Sequence, residues 1–444
     1  MKYGKGPTAE LCDWVCSIHY RDLPAEVRKE AITILYDTIG GMIASSTLPT
    51  CLPVVEMVKA IGGNGNCSIV GHPVKTTVTF AALANGTIAH GDEVDAVGRR
   101  GSSHFAAVIV AGGISLGQYV KASGKELVLA IAVGSEIAAR INILKYEARG
   151  NQRHFIDTGS TLGCAVLGGL LLDLNAEQME HALGLAASRA AGLHSHLLDP
   201  THQFKSLQQG TATQGGVTAA LLARYGLHGV PEILTTEHGF FDAFAGDASL
   251  GNRVVDDLGK TYLFHHVRYK RFPVGVPDQY ALYVFIQMLK KHNLTVDDIA
   301  EVDVMMSKGD FLTVDTFKHP SVYQPTILSI AAVFGEVGFQ HIHDAKYYHD
   351  PRVEAFKQRV KLLPQRTGSK AMQLCIHTRN GKVFSKELKS YLPSMKEEEL
   401  QLKFRALTGL RVNHNKVLDL ERKLKNIEEV NNIAPLISEL ELPG

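Results

Sequence analysis

The sequence predicts a mostly α-helical protein, with a large all-helical domain joined to a smaller α+β domain. Three observations carry that prediction. Apolar residues recur at helical spacing through the first 250 residues. Near residue 262 the texture changes and strict apolar–polar alternation appears. Past residue 393 the helical spacing returns. The expected limits are 1–261 for the helical domain and 262–393 for the smaller one, with 394–444 forming helices that return to the first.

Taken in order, "LPAEVRKEAITILYDTIGGMIASS" reads as a helix, with Pro24 suited to a first turn. "SGKELVLAIAVGSEIAARINIL" opens with Ser123 and Glu126 spaced as a capping box. "TLGCAVLGGLLLDL" and "GTATQGGVTAALLARYGL" carry Gly, Ala and Ser on apolar faces. Such faces let helix backbones approach closely, so these two are expected at the centre. "NAEQMEHALGLAASRAAG" opens on Asn175 and Gln178, again a capping box, and is expected to stop at Gly192.

Beyond residue 262, "YALYVFIQMLKKH" and "PTILSIAAVFGEV" are helical pieces, and "IAEVDVMMS" alternates like a strand. "KAMQLCIHTRNGKVFSKEL" is two alternating runs around Asn380-Gly381, a hairpin signal. Ser394 and Glu397 are expected to cap "MKEEELQLKFRAL", which "NKVLDLERKLKNI" follows.

Charge excludes some functions. Lys+Arg total 46 against Asp+Glu 45 in 444 residues, so there is no basic field for nucleic acid or an anionic membrane. The apolar runs are broken by Gly, Ser and charge, and no membrane span is expected. The six cysteines are scattered without a CxxC pair, and Cys12 and Cys16 have no second pair to complete a metal site. Free thiols and an N-terminus without an apolar leader point to a cytoplasmic protein.

Four polar clusters interrupt the apolar segments: "IAHGDEVDAVGRRGSSH" (88–104), "RGNQRHFIDTGS" (149–160), "HSHLLDPTHQFKSLQQG" (194–210) and "FHHVRYKRFP" (264–273). Each alone reads as a solvated loop. Three of them abut helices rich in small residues, which points to a site. Lys205, Arg268, Lys270 and Arg271 could clamp carboxylates. Glu93 or Asp95 with His104 could move a proton. Thr158 stands where a helix start offers N–H groups to an anion. Cations beside a base suit proton abstraction next to a carboxylate, as in dehydration, decarboxylation or epimerisation of an organic acid. His194 and His196 lack a carboxylate at ligand spacing, so no metal is expected there. Asp92 and Arg100 read as loop residues and His90 as structural. The phosphate-loop, dinucleotide and G-x-S-x-G patterns do not occur.

At this point the chain resembles the MmgE/PrpD family, which includes 2-methylcitrate dehydratase, cis-aconitate decarboxylase and iminodisuccinate epimerase. "NGTIAHGDEVDAV", "SSHFAAVIVAGGISLG", "ASGKELVLAIAVGSEIAARI", "LNAEQMEHALGLAASRAAGL", "FKSLQQGTATQGGVTAALLARYGLHGVPEIL", "HGFFDAF" and "YKRFP" follow in the family's order. The resemblance implies a homodimer, an active site between the domains, a small-molecule substrate, and no metal or organic cofactor. It places Glu93, Asp95, His104, Lys205 and Lys270 on family site positions. Other positions depart. The acid after Asp95 is Ala96 and the neighbouring threonine is Val97. One family histidine falls on Ile156, with His154 two residues away, and another falls on Gly275. The family tyrosine falls near Ala332.

The expected catalytic residues are therefore Glu93, His104 and Lys205. The expected substrate contacts are Asp95, His154, Thr158, Gln208, Lys270 and Arg271. Losing two imidazoles and a phenol makes the pocket less polar, and a tricarboxylate would leave buried oxygens unpaired. The expected reaction is that of a lyase or isomerase on an organic acid less charged than citrate. A cyclase guided by an apolar pocket and a catalytically idle ligand-binding homologue are the alternatives.

Overall fold

The computed structural model describes residues 4–98, 103–149, 156–316, 318–365, 372–388 and 392–443. It is mostly helical, with a smaller α+β portion as the sequence predicts. The helices Val78–Ala89, Phe105–Val120, Gly124–Arg149, Thr158–Leu171 and Gln203–Arg224 pack against one another at the centre. Their small residues explain the closeness. A Cβ on Gly163 would stand 2.5 Å from the Gly134 carbonyl oxygen. One on Gly216 would stand 2.7 Å from that of Thr161. Any larger residue at either position would push the two backbones apart.

Local signals set several ends. Ser123 and Glu126 form the expected box, with the Ser123 N–H donating to Glu126 Oε2 at 2.6 Å. Asn175 and Gln178 form theirs at 2.9 and 3.1 Å. Such caps typically contribute about 1 kcal/mol each. Other ends differ from expectation. The helix from Ala176 stops at Ala187, short of Gly192. The helix near residue 397 spans Glu397–Thr408, and Glu399 caps it by accepting from the Lys396 N–H at 2.8 Å, so Ser394 is not the cap. Pro24 sits at the N-cap of Ala25–Ser45, one residue before the helix.

The first core joins Ile34, Ile39, Phe105 and Ile109 with Phe404, Leu420 and Ile437 from the C-terminal segment. Tyr262 and Phe264 pack in this core too. A second core begins at Val274 and lies between the helices Val276–His292 and Gln324–Phe334 and a four-stranded sheet. The strand order is Val360–Pro364, Ile299–Met306, Met372–Thr378, Val383–Leu388. The first pair is parallel and the others antiparallel. Val302, Val304 and Met306 are buried, as the alternation predicts. The last two strands form the Asn380-Gly381 hairpin, with Gly381 at φ +83°.

One apolar helix departs from the reading of the sequence. Gly124–Ala148 is long and apolar enough to cross a membrane, with a mean hydropathy of 1.8, although the breaks by Gly and charge suggested otherwise. In the fold 94% of that window is buried inside the protein, which accounts for its apolarity as a core helix.

Candidate active site

The helix Val78–Ala89 ends at His90, and the chain then turns inward. Asp92, Glu93 and Asp95 are each at most 2% exposed. Three buried carboxylates on one loop require partners. The loop continues into Val97–Gly98, which pairs antiparallel with Val267–Arg268. That short ladder sets the carboxylates against the "YKRFP" segment.

Lys270 answers two of them. Its Nζ donates to Glu93 Oε2 at 2.5 Å and to Asp95 Oδ1 at 3.0 Å. Lys205, in the first turn of Gln203–Arg224, donates to the other oxygen of Glu93. Glu93 is thus held between two ammonium groups from separate parts of the chain. Burial alone would raise its carboxyl, but Lys205 and Lys270 outweigh burial and hold it well below the usual range. The same reversal holds Asp95 low, through His90, Lys270 and His104. Burial would lower Lys270, but Asp95 and Glu93 raise it.

His104 caps the helix Phe105–Val120 and is 5% exposed. Its Nδ1 lies 2.7 Å from Asp95 Oδ2. Its backbone N–H donates to Asp157 Oδ2 at 2.9 Å. Asp157, at φ +59° before the helix Thr158–Leu171, also accepts from Ser103 Oγ and Ser160 Oγ. Burial lowers the His104 imidazole despite the Asp95 charge, which keeps the ring neutral near pH 7. His90 packs edge-on at 4.5 Å between ring centroids. Its Nδ1 lies 3.0 Å from Asp95 Oδ1 but out of line for a hydrogen bond, and burial pushes it down to about 3.

Thus Glu93, Asp95, His104, Lys205 and Lys270 come together. Other expected contacts have different partners. Thr158 Oγ1 accepts from Lys145 Nζ at 3.0 Å. Gln208 donates to the Leu193 carbonyl at 3.0 Å. Arg271 pairs with Glu399 and lies over the Tyr283 ring. His154 and Arg100 fall outside the described residues. A cavity of about 820 Å³ opens beside the cluster, walled by Tyr36, Lys270, Arg271, Tyr280 and the segment from Leu392 to Gln401.

The structure adds residues that sequence reasoning missed. Asp92 lies in a loop as expected, yet is 1% exposed. It faces His202, in the turn before the helix Gln203–Arg224, and His343, far along the chain, with His319 beside them. His319 and His343 stand far along the chain in segments without a local signal. Asp278 is the other addition. A Cβ on Gly275 would lie 2.7 Å from its Oδ2, so a carboxyl stands next to the position where the resemblance expects a histidine. Burial and the Glu93 charge push Asp278 well above the carboxylate range. Ala332 lies against the second core.

Comparison with known proteins gives a family match. The model of the MmgE/PrpD N-terminal domain matches residues 9–252. The chain is 27% identical over 244 residues to a cis-aconitate decarboxylase-like protein of Aspergillus oryzae, covering 53% of this chain and 50% of that one. It is 27% identical over 246 residues to a cis-aconitate decarboxylase of Aspergillus terreus, covering 53% and 49%. These matches span about half the length of the fungal relatives. The human cis-aconitate decarboxylase is 23% identical over 437 residues, covering 93% of this chain and 89% of the human one.

Proposed function

This chain belongs to the MmgE/PrpD family, and we propose on that footing that it is a lyase acting by proton transfer beside a carboxylate or carbonyl of a small organic acid. The observation that carries this reading is the double engagement of Glu93 by Lys205 and Lys270, with the Asp95–His104 pair on the far side of Lys270. Asp95 accepts from His104 Nδ1, which leaves the lone pair on Nε2 as the base. A substrate carboxylate competes with Glu93 for the lysines. Lys205 then faces the charge that develops on an enolate-like oxygen. The proton taken by His104 leaves with hydroxide as water in a dehydration.

Two lysines against two carboxylates of the protein leave little positive charge for a tricarboxylate, which supports a substrate less charged than citrate. The test is incubation with mono-, di- and tricarboxylic acids in heavy water, followed by NMR. Turnover or deuterium exchange of an acid with one or two carboxylates is expected, abolished in His104→Ala and Lys205→Ala. Full turnover in both folded variants would remove the assignment. The cavity beside Lys270 favours one second reading, a ligand-binding homologue. An acid that raises the melting temperature without exchange or turnover would select it.

A further inference from the structure

Val94 stands between Glu93 and Asp95, and its carbonyl is held from far along the chain. Lys403 Nζ donates to the Val94 carbonyl oxygen at 2.9 Å. The same ammonium pairs with Asp37 Oδ1 at 2.7 Å. Asp37 is buried in the helix Ala25–Ser45, and Lys403 lies in Glu397–Thr408.

We propose that Lys403 is a positioning residue for the Glu93–Lys270 cluster. It holds the peptide between Glu93 and Asp95 in place, and Asp37 aims its ammonium. A peptide unit is planar, so fixing the Val94 carbonyl fixes the plane from which Asp95 projects. The charges of Lys403 and Asp37 cancel, so what the pair supplies at the cluster is geometry rather than net charge. Close packing keeps the reach short. The Phe404 and Tyr36 rings stack at 4.1 Å between centroids. A Cβ on Gly40 would stand 2.8 Å from Phe404 Cδ2, and one on Gly41 would stand 3.1 Å from Val94 Cγ2. Two adjacent glycines thus let Ala25–Ser45 meet the C-terminal helix and the carboxylate loop at once. The C-terminal helix also pairs Glu399 with Arg271, the neighbour of Lys270. One helix therefore touches both sides of the Glu93–Lys270 contact.

Three full-length variants separate the hold on Val94 from the ion pair. Lys403→Met leaves Asp37 buried without its counter-charge. The double variant Asp37→Asn, Lys403→Met removes both charges, an exchange that buried pairs often tolerate without loss of stability. Asp37→Asn alone keeps the bond to Val94. Kinetics are read where thermal melts show each variant folded, and this arm rests on the lyase reading. Expected is a fall in kcat of about 10–100-fold in Lys403→Met and in the double variant, with KM within about threefold of wild type. Turnover in Asp37→Asn should stay near that of wild type.

A second readout needs no substrate. The amide hydrogens of residues 93–96 should exchange about tenfold faster in Lys403→Met and in the double variant, and at the wild-type rate in Asp37→Asn. Protection and turnover regained in the double variant, or lost as far in Asp37→Asn, would overturn the proposal, because either result traces the effect to the ion pair. Faster exchange in a protein that turns over no acid would support the hold on Val94 and remove the lyase reading instead.

Discussion

Lys270 Nζ lies 2.5 Å from Glu93 Oε2, across 177 positions of sequence. The contact joins the carboxylate loop after Val78–Ala89 to the segment that precedes the helix Val276–His292. Both groups are at most 3% exposed, so neither can fall back on water. Four predictions follow from this cluster and its supports.

Replacing Lys270 by Met should destabilise the protein by about 3–5 kcal/mol, because Glu93 and Asp95 lose a shared counter-charge while still buried. Urea unfolding of the variant and of the Lys270→Met, Glu93→Gln double variant tests this. Recovery of part of the loss in the double variant is expected. Equal loss in both would mean that the pair is not coupled.

His104→Ala should lower turnover by about 10²–10⁴-fold with little change in KM, since it removes the base and no carboxylate clamp. Asp95→Asn should act in the same direction, because an amide can donate to Nδ1 and so shift the proton to Nε2. The measurement is kcat and KM on the acid that the NMR screen identifies. A pure KM effect in either variant would place His104 among the binding groups.

The pH dependence of stability has a defined sign at His90. Its folded value is about 3 against an ordinary 6.5, so between these pH values the unfolded chain takes up a proton that the folded chain refuses. Wild-type stability from this group is complete above about pH 6.5 and declines as the pH falls toward 3. The melting-temperature difference between wild type and His90→Gln should therefore shift in favour of the variant from pH 7 to pH 5. A constant difference would mean that His90 titrates normally.

Asp157→Ala should cost about 1–3 kcal/mol, since the Ser103 hydroxyl and the His104 N–H lose a buried acceptor. Because that N–H starts the helix bearing His104, kcat should fall as well. Thermal melts and kcat, measured on one preparation, check both. Unchanged kcat in a destabilised variant would limit Asp157 to a structural role.

Much of this architecture was legible because its signals are local. Ser123 with Glu126 and Asn175 with Gln178 announce helix starts within four residues. The Asn380-Gly381 turn announces a hairpin in two. Helix ends were harder, and Ser394 lost to Lys396 and Glu399 because several polar residues there could serve as a cap. The family pattern marked Glu93, Asp95, His104, Lys205 and Lys270, which the fold gathers. Gln208 came from the same stretch as Lys205, yet it bonds the Leu193 carbonyl, since chain proximity does not decide which side of a helix seam a residue takes. His319, His343 and Asp278 were illegible for a different reason. His319 and His343 matter through contacts with residues far away in the chain, and Asp278 looks like an ordinary first-turn acid of its helix.

The wall that Leu392 to Gln401 contributes to the large cavity has an evolutionary consequence. Arg271 is fastened to that wall through Glu399, while Lys270, its neighbour, is fastened to Glu93 and Asp95. Adjacent residues thus answer to different constraints. Drift in that segment can reshape what the cavity admits, through length or side-chain size, while the Glu93–Lys270 cluster stays fixed.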